Sequence, residues 1–406
     1  MANLKSRRIK PLAWMLIILA GIVVLALVAA LLAYPPVYVF RVITWGNSDA
    51  FDWQKFPEHR LEAAPVPFTF DQAPDDEVAA LFAQLTGADN WEVFLEEKGT
   101  QAFIVIQDGT VRYEEYFNDT QRDSIVTSFS VAKSFTSALI GIAIDEGYIN
   151  SVDDPITDYL PELLARDSRF GNITIRDLLR MSSGLEYQED RSLGLNGDDA
   201  LTTYYPDQRR LALRNTKIID PPGVYFLYNK YHPQLLGMIL ERTTGRSVTG
   251  YLQSKVWDPL GMEFAGSWST DSEASDFEKM ETGVNARAID FAKFGQLFLN
   301  EGAWNGQQVI SQLWVTESTQ PFLPSDYSAY YPADWFSDLP EQGYYQYMWW
   351  GIAIEPGIYD FVAAGDRGQF IYVSPRKALV IVRNGIDYGI PFADWFGLFY
   401  RFASEF

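Results

Sequence analysis

Residues Leu12 to Ala33 form an unbroken run of 22 apolar side chains, LAWMLIILAGIVVLALVAALLA. As a helix at about 1.5 Å per residue the run reaches ~33 Å, the thickness of a bilayer's hydrocarbon core. Such a segment has no place in an aqueous fold, so whatever else the chain builds must come after it. Lys5, Arg7, Arg8 and Lys10 precede the run, whereas Pro35, Pro36 and a single Arg41 follow. This bias keeps a short tail, residues 1–11, in the cytoplasm and sends everything beyond the span at 12–34 to the periplasmic or extracellular side. A cleaved signal peptide is the rival reading, with an unusually long apolar core and a poor cleavage site at Leu31-Leu32-Ala33.

The remainder of the 406 residues is long enough for one large domain or two ordinary ones. A net charge of −21 repels phosphate backbones and gives nucleic-acid binding no support. The chain has no cysteine, which removes thiol catalysis, disulfides and cysteine-ligated zinc. Its two histidines, His59 and His232, do not lie in a metal-ligand spacing. A Ser-His-Asp triad would have to draw on one of them. His232, followed by a proline, reads as structural. No metal or cofactor is expected.

Residues 35–75 are rich in proline and aromatics, without periodicity, and read as a juxtamembrane extension. From 76 to 406 the pattern is that of one domain. EVAALFAQL opens it as a short helix, and AFIVIQDGTVRYEEYF follows as two strands around Asp108-Gly109, a strong hairpin signal. Ser130 to Ile144 (SVAKSFTSALIGIAI) reads as a buried helix, followed by a mainly helical stretch. QFIYVSPRKALVIVRNG closes the chain as two further strands. Strands at both ends with helices between imply an α+β domain whose antiparallel sheet is closed by distant segments.

The motif S-x-x-K occurs twice. Ser374 to Lys377 falls in the turn of the last hairpin, where the side chains are expected to face solvent. Ser130-Val131-Ala132-Lys133 opens the apolar helix, so Ser130 and Lys133 share one face. At a helix start the backbone N–H groups lack intrahelical partners, and the macrodipole favours negative charge on the serine. Burial among Val131, Phe135 and Leu139 would favour a neutral lysine, able to take the hydroxyl proton. An N-cap serine beside an exposed lysine is the bland alternative.

About a hundred residues later stands Pro222-Gly-Val-Tyr-Phe-Leu-Tyr228-Asn-Lys230. With Ser130-x-x-Lys133 before it, this segment resembles the serine β-lactamase and penicillin-binding-protein superfamily. Class C β-lactamases, D-alanyl-D-alanine carboxypeptidases, esterases and 6-aminohexanoate-dimer hydrolases belong to it. The resemblance implies a β-lactamase/transpeptidase-like fold, an antiparallel sheet flanked by helices with an all-helical subdomain. It also implies that Tyr228 shuttles protons in concert with Lys133. Where the family has asparagine this chain has Lys230, which puts the usual amide contact to substrate in doubt.

The family's Lys/His-Thr-Gly strand corresponds to Ala363-Ala364-Gly365, followed by Asp366-Arg367-Gly368-Gln369. The glycine is kept and both side chains are lost, a variant similar to the aminohexanoate-dimer hydrolases. Backbone donors survive such replacement, so the resemblance places an oxyanion hole at the N–H groups of Ser130 and Asp366. Arg367 is read either as a contact for a substrate carboxylate or as a solvated loop residue. The run Tyr344 to Trp350, YYQYMWW, either lines a pocket or fills the core. The expectation is a membrane-anchored serine hydrolase of small-molecule or peptide-like amides or esters, less suited to cyclic β-lactams. The alternative is a sensor of the same fold that binds peptidoglycan fragments or β-lactams and turns over slowly or not at all.

Overall fold

A computed structural model describes residues 11–189, 195–322, 326–331 and 342–406. The chain divides into two compact units, one of residues 1–48 with 188–206, the other of 49–187 with 207–406.

In the smaller unit, helix α1 (Pro11–Ala33) is long and apolar enough to cross a membrane, and its stretch Trp14–Ala33 is not buried against protein. Pro36, suited to a first helical turn because its missing N–H would be unpaired there anyway, then opens α2 (Pro36–Trp45). Tyr38, Val39, Arg41 and Val42 form the buried face of α2. The Tyr38 hydroxyl donates to the Leu195 carbonyl at 2.6 Å, and Arg41 Nη1 donates to the Tyr204 carbonyl at 3.0 Å.

The larger unit begins at Asp49. The extension expected over 35–75 is therefore divided, because Glu58–Leu61 pairs its backbone with Gly266–Ser269. A four-residue strand with one buried side chain carries too little alternation to be read beforehand. Helix α3 (Asp76–Thr86) stands where it was expected, with the Asp75 side chain capping the Glu77 N–H.

The main sheet has eight strands. At one end of the chain are β1 (Thr100–Gln107) and β2 (Thr110–Tyr116). At the other are β3 (Gln342–Gln346), β4 (Trp349–Glu355), β5 (Ile358–Gly365), β6 (Gln369–Ser374) and β7 (Leu379–Gly385). Their spatial order is β3-β4-β5-β6-β7-β1-β2, all antiparallel, with Asp71–Gln72 added parallel to β2. Thus β7, near the end of the chain, pairs with β1 near its beginning, Val382 opposite Ile104. Asp108 and Gly109 both take positive φ, 51° and 72°, as a two-residue turn matched to the strand twist requires.

Of four further helices, α4 (Ala132–Asp145), α5 (Tyr231–Thr244), α6 (Ala288–Leu299) and α7 (Phe392–Glu405), the last two pack on this sheet and the first two on each other. α7 covers one face, where Phe399 meets Phe370 and Phe103, and Phe402 stacks on Phe82 of α3 at 4.0 Å. On the other face α6 sets Phe298 against Trp349 and Phe361. α4 lies beyond it, Phe135 stacked on Phe294 at 3.8 Å. This layering buries α4 on every side over Ala132–Ala143, which is why small and apolar residues dominate it, Lys133, Ser134, Thr136 and Ser137 being its polar members.

In the second serine-lysine copy Pro375–Lys377 forms the expected turn, but Ser374 ends β6 and does not face solvent. It is buried and donates to Asp360 Oδ1 at 2.8 Å. Asp360 also accepts from Tyr372 and Arg376, and this local network ties the serine hydroxyl to the sheet.

Candidate active site

A short strand, Val126–Thr127, pairs with Val284–Ala286 and delivers the chain to the head of α4. Between strand and helix the backbone turns sharply. Phe129 has a φ of 44°, a left-handed conformation that costs a bulky residue on the order of 1–3 kcal/mol. Ser128 secures the bend, its N–H bonded to the Val284 carbonyl and its hydroxyl to the Thr282 carbonyl. Because Val131 N–H reaches back only to Ser128, residues 129–131 form a 3₁₀ turn and the α-helix starts at Ala132. The helix expected from Ser130 therefore begins two residues later, leaving Ser130 half-buried in the tight entry turn.

Lys133, on the first turn of α4, is 1% exposed. Its Nζ lies 2.8 Å from Ser130 Oγ and 2.8 Å from the Glu281 carbonyl oxygen. The exposed-lysine alternative is excluded by this burial. Nζ also sits 5.0 Å from the centre of the Tyr228 ring. The segment carrying Tyr228 is clamped before α5 begins: Gly223 N–H donates to the Ser182 carbonyl and Leu227 N–H to the Met181 carbonyl. Asn229, fully buried, donates to the Leu185 and Glu186 carbonyls. Serine and lysine from the head of α4 meet the tyrosine of a second stretch about a hundred residues on.

The end of β5 completes the group. Gly365 packs so closely on the nucleophile's turn that a β-carbon there would fall 2.4 Å from the Ser128 carbonyl oxygen and 3.0 Å from Ser130 N. Ala363 and Ala364 precede it in register with Ile371 and Phe370 of β6, so 366–368 is the connecting turn. Asp366 is exposed, and Arg367 is half-buried with a φ of 60°. Lys230 closes the Tyr228 segment as the residue before α5, half-buried.

Several neighbours carried no signal in their spacing. The Tyr228 ring stacks on Trp350 at 5.9 Å and meets Tyr345 edge-on at 6.1 Å, while its N–H donates to the Tyr331 hydroxyl. So the YYQYMWW run is buried throughout, and Tyr345 and Trp350 are the members that flank Tyr228. Tyr388 is held well above the usual phenol range, first by burial and then by the charges of Asp366 and Tyr228.

Arg383 braces the 366–368 turn from behind. It is fully buried, and Nη1 donates to the Gly368 carbonyl at 2.8 Å. Nη2 donates to the carbonyls of Lys98 and Asp387, and Nε to the Thr100 hydroxyl. Burial among carbonyls pulls the guanidinium down to about 9, against a weaker upward pull from Asp387. A lone arginine inside the apolar strand LVIVRNG was the signal that could have found it.

The histidines lie elsewhere. His232 is buried, its Nε2 2.6 Å from the Ser183 hydroxyl, and loss of solvent holds it neutral down to about 3. His59 bridges Asp276 and Glu278. A serine activated by lysine, not histidine, is what the geometry offers.

The beta-lactamase family model matches residues 94–384. The chain is 27% identical over 361 residues to the 6-aminohexanoate-dimer hydrolase of Paenarthrobacter ureafaciens, covering 83% of this chain and 88% of that one. It is 28% identical over 163 residues to esterase EstB of Burkholderia gladioli, covering 38% and 41% of the two chains. A Bacillus anthracis structure assigned to the 6-aminohexanoate-dimer hydrolases superposes with a TM-score of 0.72 at 23% identity, over 88% of this chain and 92% of that one. With an α+β fold of this kind and relatives that are hydrolases, the chain belongs to the beta-lactamase family, within the serine β-lactamase and penicillin-binding-protein superfamily.

Proposed function

We propose that this protein hydrolyses an amide or ester bond through an acyl-enzyme on Ser130. The observation that carries the reading is the buried Lys133 amine, 2.8 Å from Ser130 Oγ and beside the Tyr228 ring. Neutral Lys133 takes the proton as Oγ attacks the carbonyl carbon, and the C–O bond forms. The oxyanion is met by the N–H groups of Ser130 and Asp366, donors that need no movement during the step. Tyr228, in contact with Lys133, relays the proton to the departing amine or alcohol. A water molecule then attacks the acyl carbonyl, returning the proton to Ser130 through the same pair. Gly365, by lacking a side chain, leaves the two backbone donors close together.

The substrate class is a linear amide or ester. Alanines at 363 and 364 offer no side chain to hold a β-lactam's carboxylate, while the rings of Tyr228, Tyr345 and Trp350 offer an apolar wall. Lys230 and Arg367 are the candidates for polar substrate contacts. Helix α1 is the membrane anchor, with the N-terminus cytoplasmic and the hydrolase outside; its apolar length and the basic residues before it support that orientation.

A panel of chromogenic esters, D-amino-acid amides, linear oligoamides and β-lactams, run on the wild type and Ser130→Ala, tests the reading. Turnover abolished by the substitution is expected. Stoichiometric labelling without turnover would instead make the domain a sensor, and equal rates in both proteins would remove Ser130 from the chemistry.

A further inference from the structure

Helix α2 has two faces of different character. Tyr38, Val39, Arg41 and Val42 are turned inward, and Tyr204 donates its hydroxyl to the Gly46 carbonyl just past the helix end. Val37, Phe40 and Ile43 lie three residues apart on the other face and are 49%, 57% and 62% exposed. The only charge of the helix, Arg41, is on the inward side, its guanidinium bonded to the Tyr204 carbonyl and 5.2 Å from the Trp45 ring centre. The outward face therefore carries large apolar groups and no charge.

The chain allows that face only one neighbourhood if α1 is an anchor. Between Ala33, the last residue of α1, and Pro36, the first of α2, there are three Cα steps, at most ~11 Å. The real separation is shorter, since Tyr34 N–H still bonds the Ala30 carbonyl and the Tyr34 and Tyr38 rings are 5.3 Å apart. The headgroup layer is itself about 5–8 Å deep on each side of a bilayer. A helix tethered this closely cannot leave the lipid surface.

We propose that α2 is an interfacial helix, lying at the headgroup–acyl boundary with Val37, Phe40 and Ile43 in lipid. This rests on reading α1 as the membrane anchor. Interfacial helices usually hold anionic lipid through exposed lysine and arginine. Here no cation faces outward, so the tether and the apolar groups do the work and neutral lipid suffices.

The absence of cysteine makes the test clean. Single cysteines at Leu25, Val37, Phe40, Val42 and Val66 are labelled with an environment-sensitive fluorophore, and the full chain is reconstituted in phosphatidylcholine vesicles. Leu25 reports the anchor, Val42 the inward face, and Val66, 81% exposed in the larger unit, the aqueous reference. Lipids spin-labelled near the headgroup should extinguish most of the signal at 37 and 40 and little at 42. Lipids labelled deep in the chain should extinguish Leu25. Water exposure at 37 and 40 with Leu25 in lipid overturns the proposal while sparing the anchor. Leu25 in water overturns both. Shielding of 37 and 40 from lipid and aqueous quenchers alike would mean that protein covers the face, and also overturns it.

Discussion

Replacing Gly365 with alanine isolates the steric fit between β5 and the nucleophile's turn. The backbone at this position has φ −132° and ψ 161°, ordinary extended values that alanine adopts without strain. Only contact is at issue. The new methyl would lie 2.4 Å from the Ser128 carbonyl oxygen, where a carbon and an oxygen pack no closer than about 3.3 Å. The two segments must therefore part by roughly 0.9 Å. Displacements of ~1 Å at a reacting centre cost on the order of 100-fold in rate, and loss of one oxyanion donor costs about 100- to 1,000-fold in kcat. We expect Gly365→Ala to lower kcat on a chromogenic ester by about 100-fold or more with KM little changed. Gly357→Ala serves as the control: φ is +81° there and no atom lies within 4 Å of the added carbon, so stability falls by about 1 kcal/mol with kcat intact. A kcat for Gly365→Ala within a few-fold of wild type, in a folded protein, would refute the idea that close approach at 365 sets the oxyanion donors.

Lys133→Ala and Tyr228→Phe should each slow acylation by about 100- to 10,000-fold, read as burst rate in stopped flow, with unfolding midpoints near wild type for the tyrosine variant. Arg383→Met strands buried carbonyls at Gly368, Lys98 and Asp387, at about 1–3 kcal/mol for each group left unpaired. Urea denaturation should show that loss, and kcat should fall with it because the 366–368 turn is no longer held. His59 is raised to about 9 by its hydrogen bond to Glu278, against burial and with help from Asp276. Its contribution to stability is full below its ordinary 6.5 and is lost as pH climbs through 9. Melting curves of wild type and His59→Gln should differ most in mildly acidic buffer and converge above pH 9, and a gap that widened with pH would contradict the pairing.

That Ser130, Lys133 and Tyr228 lie together was readable from one helical turn for the first two and from the family resemblance of the segment after Pro222-Gly223 for the third. The outer hairpins were readable from Asp108-Gly109 and from the Ser-Pro-Arg-Lys turn. What escaped depends on contacts between distant segments. With 27 Phe, 23 Tyr and 12 Trp in the chain, no aromatic announces itself as a neighbour of Tyr228, so Trp350 and Tyr345 did not stand out from the rest. Ser374 was expected in water because turns are usually wet, yet Asp360, fourteen residues away, draws its hydroxyl inward. The strand Glu58–Leu61 borrows its order from a partner two hundred residues on.

One acceptor of Lys133 is the carbonyl of residue 281, not a side chain. No codon change at that position can take the oxygen away, short of one that bends the main chain. The amine's orientation is thus insulated from side-chain substitution at 281, and neighbouring walls can vary without releasing it. Swapping the 281–282 amide for an ester would leave that oxygen in place with a weaker pull, a lever on the lysine that ordinary mutagenesis does not supply.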